Sequence, residues 1–229
     1  NAPSIWVFPP GHPHEGKLLV VYGSIYCSTG YTGDYRIKVA GPCYKISTSP
    51  YDITSWGARQ LMPKGVGDSH PHGGFTPDGV LHISSSLSNY ARLGTDLIWS
   101  LGAAQLVKQR SSTVCGWGAG NFAVEGPTLH YAWGSSNSAG TSRGLYYAKS
   151  VDGGITWTNA AGTASFLASD GLPGSLISDP TFCSNDSAPH GYQVWPTAYA
   201  VGSVGSRHTD GISVAVLANG SVMVIEAEN

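Results

Sequence analysis

Apolar and polar residues alternate along this chain in short bursts, and the bursts follow a recurring cue: an acidic residue or Asn, then Gly. The cue and its alternating segment occur as Glu15-Gly16 before Lys17 to Tyr22, and as Asp78-Gly79 before Val80 to Ile83. They recur as Glu125-Gly126 before Pro127 to Trp133, and as Asn219-Gly220 before Ser221 to Ile225. Asp-Gly and Asn-Gly supply the positive φ angles of a tight hairpin, and period-two alternation after them marks a half-buried strand. A partner strand precedes the turn in at least two copies, Gly73 to Pro77 and Gly211 to Leu217.

The cues at 15, 78, 125 and 219 lie 63, 47 and 94 residues apart, and the last interval is twice the one before it. That spacing places an unmarked unit near residue 170. A strand-built unit repeating about every 50 residues is the signature of propeller blades. The reading is therefore an all-β chain, a β-propeller of about four to five blades in a single domain over 1–229. No long amphipathic helix is expected, since the apolar spacing of Ala91 to Val107 is broken by Gly94 and Gly102. The Gly/Ser/Thr-rich stretches 28–34, 134–143 and 162–175 read as turns between blades.

Composition agrees. Gly (31) and Pro (14) accompany seven Trp and twelve Tyr, a mixture that suits many short strands and tight turns and does not suit disorder. With Lys plus Arg at 12 against Asp plus Glu at 14, no clustered basic face is expected, so nucleic acid is not an expected partner. No run approaches the roughly 18 apolar residues of a membrane helix, so membrane insertion is not expected either. The start, Asn1-Ala2-Pro3-Ser4, has neither Met nor a signal-peptide core, which reads as a processed chain or an engineered piece. Four cysteines (Cys27, Cys43, Cys115, Cys183) without a CxxC pair fit two disulfides, with three possible pairings and Cys27–Cys43 the natural local one. Two sequons, at Asn185 and Asn219, permit glycosylation, and a secreted or extracellular setting is expected.

The most specific local phrase is Ser150-Val151-Asp152-Gly153-Gly154-Ile155-Thr156-Trp157. This Ser-x-Asp-x-Gly-x-Thr-Trp pattern is an Asp-box. The carboxylate accepts backbone N–H bonds inside its own turn, the glycines permit the turn, and the Trp packs beneath it. Asp152 thus reads as a turn stabiliser rather than a catalytic group. Together with Leu129 to Trp133, Tyr51-Asp52-Ile53-Thr54-Ser55-Trp56 and Thr76 to Ile83, the phrase resembles the BNR-repeat propeller family that includes ulvan lyases. The resemblance runs in register over about residues 11–163. It implies seven blades in a chain nearly twice as long, so this chain reads as a part of such a propeller or a reduced one.

In that family a histidine at a blade entrance faces the central channel. His14 and His72, each ending a His-Pro-His triplet, stand nearest to that position, and Arg207-His208 before the final inner strand is a third candidate. For a lyase acting on a uronate-containing polysaccharide, the resemblance implies proton abstraction next to a carboxyl group followed by β-elimination. That reaction needs a base, an acid and a cation. His14 or His72 would be the base, Tyr90 the acid, and Arg92 or Arg207 the cation, with His208 beside it. Histidine's ordinary pKa near 6.5 suits a base.

Blander roles compete for the same residues. His-Pro-His is equally a turn whose imidazoles satisfy neighbouring backbone. His82 and His130 alternate within strands and read as packing residues, and Tyr90 and Arg92 as loop residues. None of the six arginines stands in a sialidase context, where three would clasp a carboxylate.

The competing class is a binding module, a lectin-like propeller or fibre tip, in which Tyr and Trp stack on sugar faces. Its candidates are His12, His70, Trp117, Trp133, Tyr192 and Trp195, although aromatic residues in this fold class go mainly to the core. A purely structural extracellular subunit is the third class. A glycan is the expected partner in the first two, and oligomeric state stays open. No cofactor is expected. The proline between the paired histidines gives no standard ligand spacing, and a structural metal ion is left open.

Overall fold

The computed structural model describes residues 3–22, 43–62, 71–84, 89–106, 120–136, 142–169, 193–195 and 212–226. Among them the chain is all-β, with four antiparallel sheets and no helix. The first sheet has the order β1 (Ser4–Val7), β2 (Leu18–Tyr22), β3 (Cys43–Ile46) and β4 (Gln60–Leu61). The second repeats that order with β5 (His72–Phe75), β6 (Leu81–Ser84), β7 (Asn89–Leu93) and β8 (Trp99–Gln105). The third runs β9 (Gly120–Glu125), β10 (Thr128–Ser136), β11 (Ser142–Ser150), β12 (Thr156–Thr158) and β13 (Ser165–Leu167), with β14 (Gln193–Trp195) beside β11. The fourth is the hairpin β15 (Ile212–Val216) and β16 (Val222–Glu226).

Each of the four acid-or-Asn-Gly cues sits at the turn between the first and second strand of a sheet. The glycines there have φ of 74° (Gly16), 80° (Gly79), 52° (Gly126) and 77° (Gly220). Residues with a Cβ rarely adopt that left-handed backbone, which is why the cue is readable without knowing the fold. A second repeated turn joins third to fourth strands. Asp52 Oδ1 accepts from Thr54 N at 2.7 Å, Asp96 Oδ1 from Ile98 N at 3.0 Å, and Asp152 Oδ1 from Thr156 N at 2.9 Å. A tryptophan follows each, at 56, 99 and 157. Trp56 Nε1 donates to Ile53 O and Trp157 Nε1 to Gly154 O, in both cases three residues back.

The first strands of successive sheets lie side by side. Ser4 Oγ donates to Pro71 O at 2.6 Å and Trp6 Nε1 to Gly73 O at 3.1 Å, so β1 borders the β5 segment. Strand β5 in turn borders β9, and β9 borders β15. Apolar cores fill the space between neighbouring sheets. Leu19, Val21 and Tyr44 of the first meet Leu81, Ile83 and Leu93 of the second. Tyr90 of the second meets Phe122, Tyr131 and Trp157 of the third, and Ala132 of the third meets Val214 and Val224 of the fourth.

The Gly/Ser/Thr-rich stretches are corrected. Residues 134–136 and 142–143 extend β10 and β11 of one sheet, and the 162 region turns β12 into β13 of the same sheet. Such composition marks turns within a hairpin as readily as linkers between units, so it does not place a boundary. The 28–34 stretch, the region near 170 and three of the four cysteines lie outside the described residues.

Candidate functional site

Three sheets carry side chains at equivalent register positions. In the second, His82 pairs with Arg92 and Ser84 with Tyr90. In the third, His130 pairs with Lys149 and Ala132 with Tyr147. In the first, Leu19 pairs with Ile46 and Val21 with Tyr44. Where a histidine is present, its Nδ1 meets the tyrosine hydroxyl, at 2.6 Å for His82–Tyr90 and 2.7 Å for His130–Tyr147. Where leucine replaces it, Tyr44 donates instead to Gln60 Oε1. A polar pair recurring at one place in successive sheets points to a built-in brace.

The His82 copy is the more extended. Its Nε2 lies 3.1 Å from Thr76 Oγ1, which lies 2.6 Å from Asp78 Oδ1. The Asp78 carboxylate only accepts, so the Thr76 hydroxyl donates to it, Nε2 carries the proton and donates to Thr76, and Nδ1 is left to accept from Tyr90 O–H. On the other side, Arg92 Nη1 donates to Gly153 O at 2.9 Å, and the Tyr90 ring lies edge-on to Trp157 with centroids 5.7 Å apart. The bonds thus run from Tyr90 through His82 and Thr76 to the Asp78 turn, while Arg92 ties the same strand to the Asp152 turn of the third sheet.

Tyr90 is fully buried and His82 all but so. Burial, with the Arg92 charge adding to it, lowers the His82 pKa to about 4. Burial also pushes the Tyr90 hydroxyl well above the ordinary phenol range. Both are neutral at pH 7. The unfolded chain would protonate this histidine near 6.5 and the folded one only near 4. Its contribution to stability is therefore complete above pH 6.5 and is lost as pH falls through about 4. The expected loss is on the order of 3 kcal/mol. Urea midpoints measured across that range should show the decline, and His82→Leu should flatten it; an unchanged slope in the variant would exclude His82 as its source.

Among the described residues, His14, His72, Tyr90 and Arg92 do not share one open mouth. Tyr90 is enclosed and hydrogen-bonded to His82, and the Arg92 guanidinium is held by Gly153. Both lie on β7, not in a loop. His14 sits in the turn between β1 and β2, within 5.8 Å of Phe8 by ring centroids. His12 beside it is buried, 6.0 Å from the Phe75 ring at the far end of β5. His72 opens β5 and is half-buried, three residues and thus roughly 10 Å of extended strand from that end. The two His-Pro-His triplets are consequently not equivalent. The first is a turn whose His12 Nδ1 accepts His14 N–H at 3.0 Å.

Trp133 is corrected from an exposed sugar platform to a core residue. It is 1% exposed and stacks on Tyr131 and Tyr146 at 5.5 and 5.6 Å between centroids. Trp195 lies opposite Leu145 on β14. His70, Trp117, Tyr192, Arg207 and His208 lie outside the described residues.

An open cavity of about 350 Å³ lies at the first-to-second strand turns, walled by the 9–12 and 75–79 segments with Thr95, Val124 and Gly126. His12 and Asp78 both line it. Sequence reasoning missed Thr76 and Asp78 as site residues, though Asp78 belongs to the turn cue it had found. Among the described residues, no three His, Cys, Asp or Glu side chains group as metal ligands.

No protein-family profile matches the chain, and no curated protein does. Among solved structures, a polysaccharide lyase, PL25 ulvan lyase, matches at a TM-score of 0.50 and 11% identity, both bound to a GlcA(1-4)Rha3S saccharide and in a second structure of the same lyase. The match covers 72% of this chain and 41% of the lyase, so the chain spans about two fifths of that protein's length. At that identity the likeness is one of fold: this chain has a sheet-rich fold related to that of an ulvan lyase.

Proposed function

We propose that the protein is a β-propeller of the BNR-repeat kind, one propeller unit whose work is to engage an extracellular, uronate-bearing polysaccharide. The observation that carries this reading is the side-by-side order of β1, β5, β9 and β15, with one glycine turn repeated in all four sheets and the Asp turn in three of them. The fold likeness to a lyase bound to a uronate saccharide supports the choice of partner. Buried Cys43, with no free cysteine among the described residues, supports the extracellular, disulfide-bonded setting.

Binding is the better supported form of this reading. An eliminating lyase needs a base, an acid and a cation on one accessible surface, and among the described candidates Tyr90 is enclosed while half-buried Arg92 is bonded to Gly153 O. Lyase activity is the second reading, favoured by the likeness to a polysaccharide lyase and by the half-buried His72 at the strand end away from the turns.

One experiment separates them. The protein is incubated with immobilised and soluble uronate polysaccharides, and retention is measured beside ultraviolet absorbance from unsaturated product. Binding predicts retention without absorbance. Lyase activity predicts rising absorbance that His72→Ala abolishes. Neither retention nor absorbance would refute the glycan reading in both forms.

A further inference from the structure

We infer that the cavity at the strand turns is a second carbohydrate subsite, one that takes a neutral sugar residue through the carboxylate of Asp78. This deepens the glycan reading above and rests on it, but places the contact at the opposite end of β5 from His72.

At about 350 Å³ the cavity stands at the small end of the ligand-pocket range of roughly 300–1,000 Å³, room for a sugar-sized guest. Its walls are stiff. Pro9, Pro10 and Pro77 fix their own backbone angles, and Gly79 turns at φ 80° with no side chain to obstruct the mouth. Pre-set walls reduce the ordering cost of binding. Phe75, Val124 and the prolines offer apolar surface to the C–H faces of a pyranose.

The polar side is built as well. Thr76, 4% exposed, donates to Asp78 Oδ1, and Thr76 is itself held by His82 and through it by Tyr90. Exposed Asp78 is thus held at Oδ1 by a chain that is buried behind it, and among the described residues its Oδ2 has no hydrogen bond. A carboxylate oxygen of that kind accepts sugar hydroxyls through charge-assisted bonds. His12 adds a buried donor in the wall: its Nδ1 accepts from His14, so Nε2 carries the proton, and Nε2 has no partner among the described residues. No Lys or Arg lines the cavity, so a uronate or sulfate would meet only the Asp78 charge. The chemistry selects a neutral, hydroxyl-rich ring.

The test titrates methyl glycosides of neutral hexoses, with methyl glucuronide alongside, while recording the backbone amide spectrum of the whole chain. Saturable shifts at Gly79 and Gly126 are expected with a neutral glycoside and weaker ones with the glucuronide. Asp78→Asn should weaken the neutral glycoside about tenfold or more. Thr76→Val should weaken it too, and Thr76→Ser should restore it, which a purely structural role for the threonine would not produce. No shift with any neutral glycoside would overturn the inference on the unaltered protein, whatever the variants do. So would equal binding by Asp78→Asn, or tighter binding of the glucuronide. Polysaccharide retention lost in His72→Ala but kept in Asp78→Asn would leave both sites standing; retention absent from the start, with glycoside shifts present, would remove only the polysaccharide reading.

Discussion

Gly73→Ala is expected to destabilise the protein by more than about 3 kcal/mol, a fall in melting temperature on the order of 10 °C. Gly73 pairs with Ile83 in the β5–β6 ladder. A Cβ at that position would stand 2.0 Å from His82 O and 3.0 Å from Ile83 Cα, so it meets backbone that has no rotamer by which to yield. Strand β5 would have to move away from β6. That movement also pulls Gly73 O from Trp6 Nε1, one of the bonds joining β1 to β5. One methyl group thus strains a ladder and an inter-sheet contact together. A thermal melt of the variant within about 1 kcal/mol of the parent would show that the first strands are not packed as closely as described.

Trp157→Ala is expected to cost about 3–5 kcal/mol. The indole is fully buried, with Tyr90, Phe122 and Tyr131 at 5.7, 5.6 and 6.2 Å between ring centroids, and these rings come from two sheets. Its Nε1 donates to Gly154 O at 3.1 Å, closing the Asp152 turn against the core. Alanine leaves a cavity at the seam and orphans a buried carbonyl. Trp157→Phe should recover most of the loss, short of the hydrogen bond worth about 1 kcal/mol. Urea unfolding of both variants checks this ordering. A Trp157→Ala loss below about 1.5 kcal/mol would mean that the turn does not anchor the second sheet to the third.

The turns were the legible part of this sequence because their demand is local. A left-handed residue after an acid or Asn needs only its immediate neighbours to be understood, and Gly16, Gly79, Gly126 and Gly220 all carry it. The Asp152 turn was readable for the same reason. Its degenerate relative at Asp96, without the paired glycines, escaped notice although Trp99 follows it. Whatever depends on register was not readable. His82 was rightly placed in the interior by its alternation, but its bond to Tyr90 requires knowing that Ser84 stands opposite that tyrosine. His14 and His72 share a tripeptide, yet His14 falls in the β1–β2 turn and His72 opens β5, because a motif does not state its distance from the nearest turn. Trp133 shows the third limit: an aromatic residue with a polar atom suits a surface or a core equally, and only its neighbours decide.

Glycan binding by this sheet-rich fold is the proposal on which both functional forms depend. Its most direct test is an equilibrium titration of the intact chain with a soluble uronate polysaccharide, followed by calorimetry at two ionic strengths. Saturable heat is expected, with a stoichiometry unchanged by salt because contacts to hydroxyls persist when charges are screened. No heat at any concentration, or heat that vanishes altogether with added salt, would contradict it.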